Sequence, residues 1–124
     1  MVDIGSGDGA VLKVASEFKV RNIGFEINPF LVIFSKIRLR HFRNSKTILA
    51  NFWHAFPLEK VSHFYVFGHS SRMAKIYQLA QNQANFQQSP IILISYGFEI
   101  PNQSFQQKIG AHFIYEITPD LQKN

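Results

Sequence analysis

Residues 2–9 read Val-Asp-Ile-Gly-Ser-Gly-Asp-Gly, and this stretch decides the fold. Its apolar start predicts a short strand, and three glycines in five residues permit a tight turn with close backbone approach. Apolar residues then recur at helical spacing from Val11 to Phe18, which predicts a helix of about nine residues. The chain therefore opens with a strand, a glycine-rich loop and a helix.

A second strand and helix follow directly. Residues 21–25 predict a strand that ends in Glu26. Asn28 and Pro29 then supply an N-cap and a first-turn proline for a helix that runs towards His41. The first forty residues are therefore expected to form a β-α-β-α unit.

The rest of the chain continues the alternation. Strands are expected at residues 47–49, 64–67 and 91–96, a helix at 72–84, and an antiparallel edge strand at 111–117. The stretch 78–88 is rich in Gln and Asn and is interpreted as a solvated helix end. Alternating strands and helices predict an α/β Rossmann-like fold: a mainly parallel sheet with helices on both faces, in a single domain spanning residues 1–124.

Composition narrows the function. The chain has no cysteine, which excludes disulfides and thiolate chemistry, and its five histidines show no paired spacing, so no metal site is predicted. The longest apolar run, residues 30–34, is far shorter than the roughly 20 residues that cross a bilayer, so a soluble, cytoplasmic protein without a membrane segment is expected. The net charge of +5 fits either an acidic partner or a solubilising surface.

The glycine loop is compatible with two ligand classes. In an open parallel sheet the ligand lies at the carboxyl ends of the strands, where this loop follows the first strand. Gly5, Gly7 and Ala10 satisfy the loose dinucleotide fingerprint, and Glu26 lies near the position of a ribose-binding acid. By this pattern alone, NAD remains a candidate.

Acidic residues distinguish the two classes. Asp3 and Asp8 would place negative charge where a dinucleotide puts its pyrophosphate, and that repulsion is costly. S-adenosylmethionine has no phosphate; it carries a sulfonium, an ammonium and one carboxylate, which the loop amides could bind. Glu26 could accept hydrogen bonds from both ribose hydroxyls. The acids therefore favour S-adenosylmethionine.

The helix after Pro29 is expected to have a basic outer face above a buried apolar stripe. The stripe would comprise Leu31, Phe34 and Ile37, and the basic residues are Lys36, Arg38, Arg40 and Arg43. A nucleic-acid footprint would also need aromatic side chains on the exposed face. The sequence does not place any there.

Residues 3–9 and 24–32, together with Asn51, Phe52 and Trp53, resemble a known family. They are similar to the class I S-adenosylmethionine-dependent methyltransferases, specifically to the protein lysine methyltransferase group of archaeal enzymes and of the mitochondrial ATP synthase c-subunit type. The resemblance covers roughly residues 2–100. It weakens at residues 67–70, Phe-Gly-His-Ser, where the fourth strand ends and the methyl acceptor would enter.

The resemblance implies a set of cofactor-binding residues. Those expected around the methionine part are Asp3, Gly5, Gly7 and Gly9, and Ser6 of the same loop is also expected to bind the cofactor. Glu26 would hold the ribose, Ile27 would pack on the adenine, and Asn51 and Phe52 would lie near the adenine edge. No catalytic residue is assigned, because methyl transfer chiefly needs alignment of the nucleophile and exclusion of water.

The resemblance predicts methyl transfer from S-adenosylmethionine to a protein lysine. RNA is the alternative acceptor, and a non-catalytic domain that binds the cofactor is the alternative class. Members of the group carry helical sequence before the first strand, so the chain is also expected to be truncated at its N-terminus and to be a poor enzyme alone. The sequence makes no prediction of oligomeric state.

Overall fold

A computed structural model describes residues 1–67 and 70–120. Gly68 and His69, from the segment where the family resemblance weakens, lie outside the described residues. The chain divides into two compact units, Met1–Ala55 and Phe56–Asn124. The described strands form a seven-stranded, mostly parallel sheet, which confirms the predicted Rossmann-like α/β class.

The first unit contains three parallel strands and two helices. Its elements are β1 (Val2–Ile4), α1 (Ala10–Glu17), β2 (Asn22–Glu26), α2 (Pro29–Arg38) and β3 (Ser45–Leu49). The strand order is β3-β2-β1, with Asp3 opposite Gly24 and Glu26 opposite Leu49. The side chains of Leu12 and Phe25 are buried in this unit.

The second unit contains β4 (His63–Phe67), α3 (Met73–Gln87), β5 (Ile91–Tyr96), β6 (Gln107–Ile109) and β7 (His112–Ile117). β4 pairs in parallel with β5, and β7 runs antiparallel to β5. Phe64, Leu93 and Tyr115 are buried in its core. Every strand predicted from the sequence is present, with bounds that differ by two residues or fewer.

The position of the last strand was predicted wrongly. β7 is antiparallel as expected, but it is not the edge, because β6 pairs along its other side. β6 has only three residues, Gln-Lys-Ile, and all three are exposed. A strand this short, with no buried face, carries no alternating pattern that sequence analysis could detect.

The buried face of α2 was also predicted wrongly. Phe34 and Ile37 are exposed, whereas Val32 and Ser35 face the core. The hydroxyl of Ser35 lies 2.7 Å from that of Thr47 on β3, and its side chain packs against Gly9. A small residue at this position lets α2 approach the loop closely, and that contact determines which face is buried. The helix also ends at Arg38, short of His41.

Within residues 1–67 and 70–120, no helix combines the length and hydropathy that a bilayer-spanning segment requires.

Candidate functional site

The three parallel strands of the first unit end at one edge. β1 runs into the glycine loop of residues 5–9, β2 ends at Glu26, and β3 is followed by Asn51 and a short 3-10 turn, Phe52–His54. The backbone N–H of Ala50 donates to the Glu26 carbonyl at 3.0 Å, which holds the last two strand ends together. The edge therefore brings all three predicted site segments into one region of the unit.

The glycine loop has a backbone conformation that glycine adopts readily. Gly5, Gly7 and Gly9 have φ of +70°, +59° and +84°, a region that side chains with a Cβ rarely occupy. A Cβ at Gly5 or Gly7 would meet no atom within 4 Å, so both positions face open space. Gly9 instead lies against Ser35. The loop thus leaves an open cradle above Gly5 and Gly7.

Hydrogen bonds fix this loop to β2. The N–H groups of Gly5 and Ser6 each donate to the Phe25 carbonyl at 3.0 Å, and the Gly9 N–H donates to the Ser6 carbonyl at 3.1 Å. The Gly7 N–H donates to Glu26 Oε1 at 3.0 Å. The loop amides expected to receive a ligand carboxylate are therefore already engaged within the chain.

Glu26 is a buried carboxylate that organises the edge. Besides the bond from Gly7, its Oε2 accepts a hydrogen bond from the Asn28 N–H at 2.8 Å. Only 9% of Glu26 is exposed. A carboxylate has about four lone-pair sites, so two backbone bonds leave capacity for further donors such as hydroxyls.

Asp3 is a second buried acid at this edge, and it is 3% exposed. Burial, and to a smaller extent the nearby Glu26 carboxylate, raises the pKa of Asp3 from 3.8 to about 7. The Ser6 hydroxyl is also buried, and it has no hydrogen-bond partner among the described residues. These groups carry an energetic cost that a cationic, hydrogen-bonding ligand would relieve.

Asp8 has a different role from the one that the sequence suggested. Its Oδ2 lies 3.0 Å from the Arg38 guanidinium, and its Oδ1 accepts a hydrogen bond from the Ala10 N–H at 3.2 Å. Asp8 therefore accepts a hydrogen bond from the first residue of α1 and pairs with Arg38 of α2 at the surface. The negative charges that would favour a cationic ligand at this edge are therefore those of Asp3 and Glu26.

The predicted adenine-side residues lie just beyond β2 and β3. Ile27 is exposed, as expected for a residue available to a ligand. Asn51 Oδ1 accepts a hydrogen bond from the Trp53 N–H at 3.1 Å, and the Phe52 and Trp53 rings are 4.4 Å apart. Asn51 thus starts the turn that presents Phe52 and Trp53.

Gly24 is a positioning residue that the sequence analysis did not assign. A Cβ at Gly24 would lie 2.5 Å from the Ser6 side chain and 2.6 Å from Leu12. Glycine at this point of β2 lets the loop and α1 pack against the strand. A glycine inside a strand is the usual sign of such close approach, so the signal was present.

In the described part of the chain, no cluster of three or more His, Asp or Glu side chains could hold a metal ion.

Comparison with known proteins shows the fold. No protein-family model matches this chain. A curated protein from Xenopus laevis, a lysine N-methyltransferase that acts on the ATP synthase c-subunit, is 45% identical over 38 residues, which are 31% of this chain and 17% of that protein. The matched segment is therefore a small part of that relative's length.

Solved structures match over more of the chain. An RNA methyltransferase from Salinibacter ruber in complex with S-adenosyl-L-homocysteine has a TM-score of 0.82 and 16% identity, covering 99% of this chain and 83% of that one. The 23S rRNA methyltransferase ErmE has a TM-score of 0.63 and 17% identity, covering 77% and 38%. A methyltransferase from Thiobacillus denitrificans has a TM-score of 0.59 and 22% identity, covering 82% and 44%. The chain thus has the class I methyltransferase fold.

Proposed function

We propose that this chain binds S-adenosylmethionine at the edge formed by β1, β2 and β3, and that it belongs to a protein lysine methyltransferase. The observation that carries the proposal is the pair of buried acids, Asp3 and Glu26, beside the open cradle of Gly5 and Gly7. Solved structures of the same fold, from Salinibacter ruber and Thiobacillus denitrificans, contain S-adenosyl-L-homocysteine.

The residues at this edge fit that cofactor. Asp3 would offset the positive charge of its methionine part, and the Ser6 hydroxyl would gain the hydrogen-bond partner that it lacks among the described residues. Glu26 would accept the ribose hydroxyls, while Ile27 would pack on the adenine, with Asn51 and Phe52 at its edge. The cofactor, when bound, supplies an electrophilic methyl group. The chain's own contribution would be to bind, orient and exclude water.

A dinucleotide fits the same edge less well. Two buried carboxylates beside the glycine loop would repel a pyrophosphate, and burial strengthens that repulsion because it lowers the local dielectric. The loop amides are engaged with Phe25 and Glu26, which affects a ligand phosphate and a ligand carboxylate alike, so the preference depends on the two acids. We therefore expect S-adenosylmethionine to bind in preference to NAD.

Calorimetric titration with S-adenosyl-L-homocysteine and with NAD tests the cofactor. Trp53 is the single tryptophan and packs on Phe52, so its fluorescence should change when S-adenosyl-L-homocysteine binds. A Trp53→Phe variant, which should bind equally well without the optical signal, is the control. Binding of NAD without any response to S-adenosyl-L-homocysteine would contradict the proposal.

Lysine is the leading acceptor because the curated protein that matches is a lysine methyltransferase. RNA is the second candidate, supported by the Salinibacter ruber RNA methyltransferase and by the net charge of +5. Transfer of a labelled methyl group to cell extract distinguishes them. Label removed by protease and retained after nuclease supports lysine, and the reverse supports RNA. Cofactor binding with no transfer to either would indicate a non-catalytic domain.

We also propose, as the sequence predicts, that residues 1–124 act as one domain and that the protein works in the cytoplasm. One cooperative unfolding transition followed by two probes, Trp53 fluorescence and far-ultraviolet circular dichroism, would support the single domain. Two separate transitions would contradict it. Cell fractionation tests the location.

A further inference from the structure

α2 has an apolar face that points away from the core. Its side chains follow helical spacing and are the most exposed apolar groups of the helix: Phe30 (71%), Ile33 (55%), Phe34 (61%) and Ile37 (53%). At about 100° per residue, their mean direction is opposite to that of the buried Val32 and Ser35. We call these four residues the α2 outer stripe.

The α2 outer stripe is large for a chain of this size. Side chains of these types have about 200 Å² of surface when free, so the four leave on the order of 400 Å² of apolar area exposed. A contiguous apolar patch of a few hundred Å² on a soluble protein commonly marks an interaction site. We therefore expect the α2 outer stripe to contact a partner with apolar surface.

The charge of the chain is concentrated around this stripe. Residues 27–58 contain no acidic residue and five basic ones: Lys36, Arg38, Arg40, Arg43 and Lys46. The other eight basic residues equal the eight acidic residues in number, so this segment accounts for the whole net charge of +5. We therefore expect the partner that contacts the α2 outer stripe to be anionic as well as apolar.

The basic side chains are arranged beside the stripe. Lys36 and Arg38 lie on its two flanks at helical spacing, and both are exposed. Arg38 pairs with Asp8, whereas Lys36, Arg40 and Arg43 form no ion pair with any described residue. Lys36 and Lys46 also line a shallow cleft of about 250 Å³, together with Leu39, Ser45 and Thr47. Its two ammonium groups suit a phosphate.

Charge and area argue against a second copy of the chain, and the aliphatic side chains of the stripe argue against nucleic acid. A second copy of the chain would bring two such basic faces together, and the stripe supplies only about half of the roughly 800 Å² per partner that stable interfaces bury. Nucleic acid would use Phe30 and Phe34 for stacking but would leave Ile33 and Ile37 without a role. An anionic lipid surface accepts both the aliphatic and the aromatic side chains, with basic groups at the phosphates.

We propose that the α2 outer stripe and its basic flanks dock on the surface of an anionic lipid bilayer. α2 would lie in the plane of the interface, with the stripe in the headgroup and acyl boundary. The docking surface consists of exposed side chains on α2 and does not depend on the proposed cofactor or acceptor. Failure of this proposal would therefore leave the methyltransferase proposal unaffected.

Co-sedimentation of the full chain with lipid vesicles tests the proposal. We expect binding to vesicles of phosphatidylcholine and phosphatidylglycerol in equal parts, and little binding to phosphatidylcholine alone. The Phe34→Gln/Ile37→Gln variant keeps good helix formers on α2 and should lower the partition coefficient about tenfold. Added salt should weaken the remaining binding because the basic flanks are exposed.

The matched control is Phe86→Gln/Ile109→Gln, which removes two side chains of the same types and similar exposure elsewhere, 58% and 54%. It should bind vesicles within about twofold of the original chain. Circular dichroism must show that both variants fold. The proposal is overturned if both variants bind vesicles equally, if the original chain binds neither vesicle, or if neutral vesicles bind as well as anionic ones. Loss of a dimer, or of single-stranded RNA binding, in place of lipid binding would identify another occupant.

Discussion

The buried groups at the acidic edge of the first unit and the glutamine side chains of the second unit differ in how well they are satisfied. In the second unit, the amide of Gln83 accepts a hydrogen bond from the Leu58 N–H and donates one to the Leu58 carbonyl, both at 2.8 Å. The half-buried Gln87 makes the same pair with Val61 at 2.9 and 2.8 Å. In the first unit, Asp3 and Glu26 are two buried acids of like charge, and the Ser6 hydroxyl has no partner among the described residues.

This difference separates structure from function. A buried amide whose donors and acceptors are paired stabilises a loop and needs no ligand, so Gln83 and Gln87 hold residues 58 and 61 against α3. Buried like charges destabilise a fold, and such groups cluster at functional sites. We therefore expect the acidic edge to serve binding and the glutamine contacts to serve stability, and each variant below tests one side of this comparison.

The largest expected effect is the pH dependence that Asp3 imposes on stability. Its pKa is about 7 in the folded chain and 3.8 as the ordinary value, so the folded state binds the proton more tightly. The free energy of unfolding should therefore fall as pH rises from about 4 through 7, by on the order of 4 kcal/mol. Urea unfolding at a series of pH values measures this loss.

Asp3→Asn is the matching variant, because it keeps the shape and removes the charge. Its free energy of unfolding should depend much less on pH between 4 and 8, and it should exceed that of the original chain at pH 8. The affinity for S-adenosylmethionine should fall at the same time, since the acid that offsets the cation is lost. A variant that became less stable at pH 8 would show that Asp3 stabilises the fold, contrary to the comparison.

The second effect concerns the satisfied group, Gln83. Gln83→Met keeps the volume but leaves the Leu58 N–H and carbonyl without their partner, so the free energy of unfolding should fall by about 3 kcal/mol. Affinity for S-adenosyl-L-homocysteine should not change. Gln78→Met on the exposed face of the same helix is the control and should cost less than about 0.5 kcal/mol. A loss of cofactor affinity in Gln83→Met would show that the glutamine contacts serve binding as well as stability, contrary to the comparison.

The two units also differ in how far the sequence predicted them. In the first unit, the glycine loop, Glu26 and the Asn28 cap are local signals, because each is written in a few consecutive residues and was confirmed at its predicted place. The buried face of α2 was not local. It depends on Ser35 meeting Thr47 and Gly9, which are distant in sequence.

In the second unit, the strands were predicted but their roles were not. The stretch 78–88 was interpreted as solvated, whereas Gln83 is buried. A run rich in glutamine usually lies on the solvent-exposed face of a helix. The side chain of Gln83 faces inwards because it pairs with the backbone of Leu58, which is distant in sequence. β6 likewise forms a strand because it pairs with β7, and the sequence of its own three residues does not indicate this pairing.

The third expected effect is a loss of cofactor affinity when Glu26, the acid that joins the loop to β2, is replaced. Glu26→Gln replaces one acceptor oxygen with a donor, so Gly7 and Asn28 can no longer both be satisfied. We expect affinity for S-adenosyl-L-homocysteine to fall by about 1.5 to 3 kcal/mol, or roughly ten- to a hundredfold. Calorimetric titration measures it. The pKa of Asp3, read from the pH dependence of unfolding, should fall because a neighbouring negative charge is removed.

Glu17→Gln is the matched control for Glu26. Glu17 is an exposed acid at the end of α1 and lies 4.0 Å from Lys13. Removing its charge should change neither cofactor affinity nor the pKa of Asp3. If both variants lost affinity equally, the cause would be the net charge of the chain, and Glu26 would have no specific role.

The smallest expected effect belongs to Asp8, the loop acid whose charge is paired with Arg38. Asp8→Asn keeps an oxygen that can accept the Ala10 N–H and removes only the charge beside Arg38, in a pair that is about half exposed. Exposed pairs of this kind contribute 0 to about 1 kcal/mol, so the free energy of unfolding should fall by about 0.5 kcal/mol and by less in high salt. The affinity for S-adenosyl-L-homocysteine should stay within about twofold of the original, because Asp8 is engaged with α1 and α2. Arg38→Gln removes the other partner and should give the same small loss. A tenfold drop in affinity for Asp8→Asn, with Arg38→Gln unchanged, would mean that an acid paired with a cation still serves the ligand. The rule that only unsatisfied or like-charged groups mark the site would then be wrong for this loop.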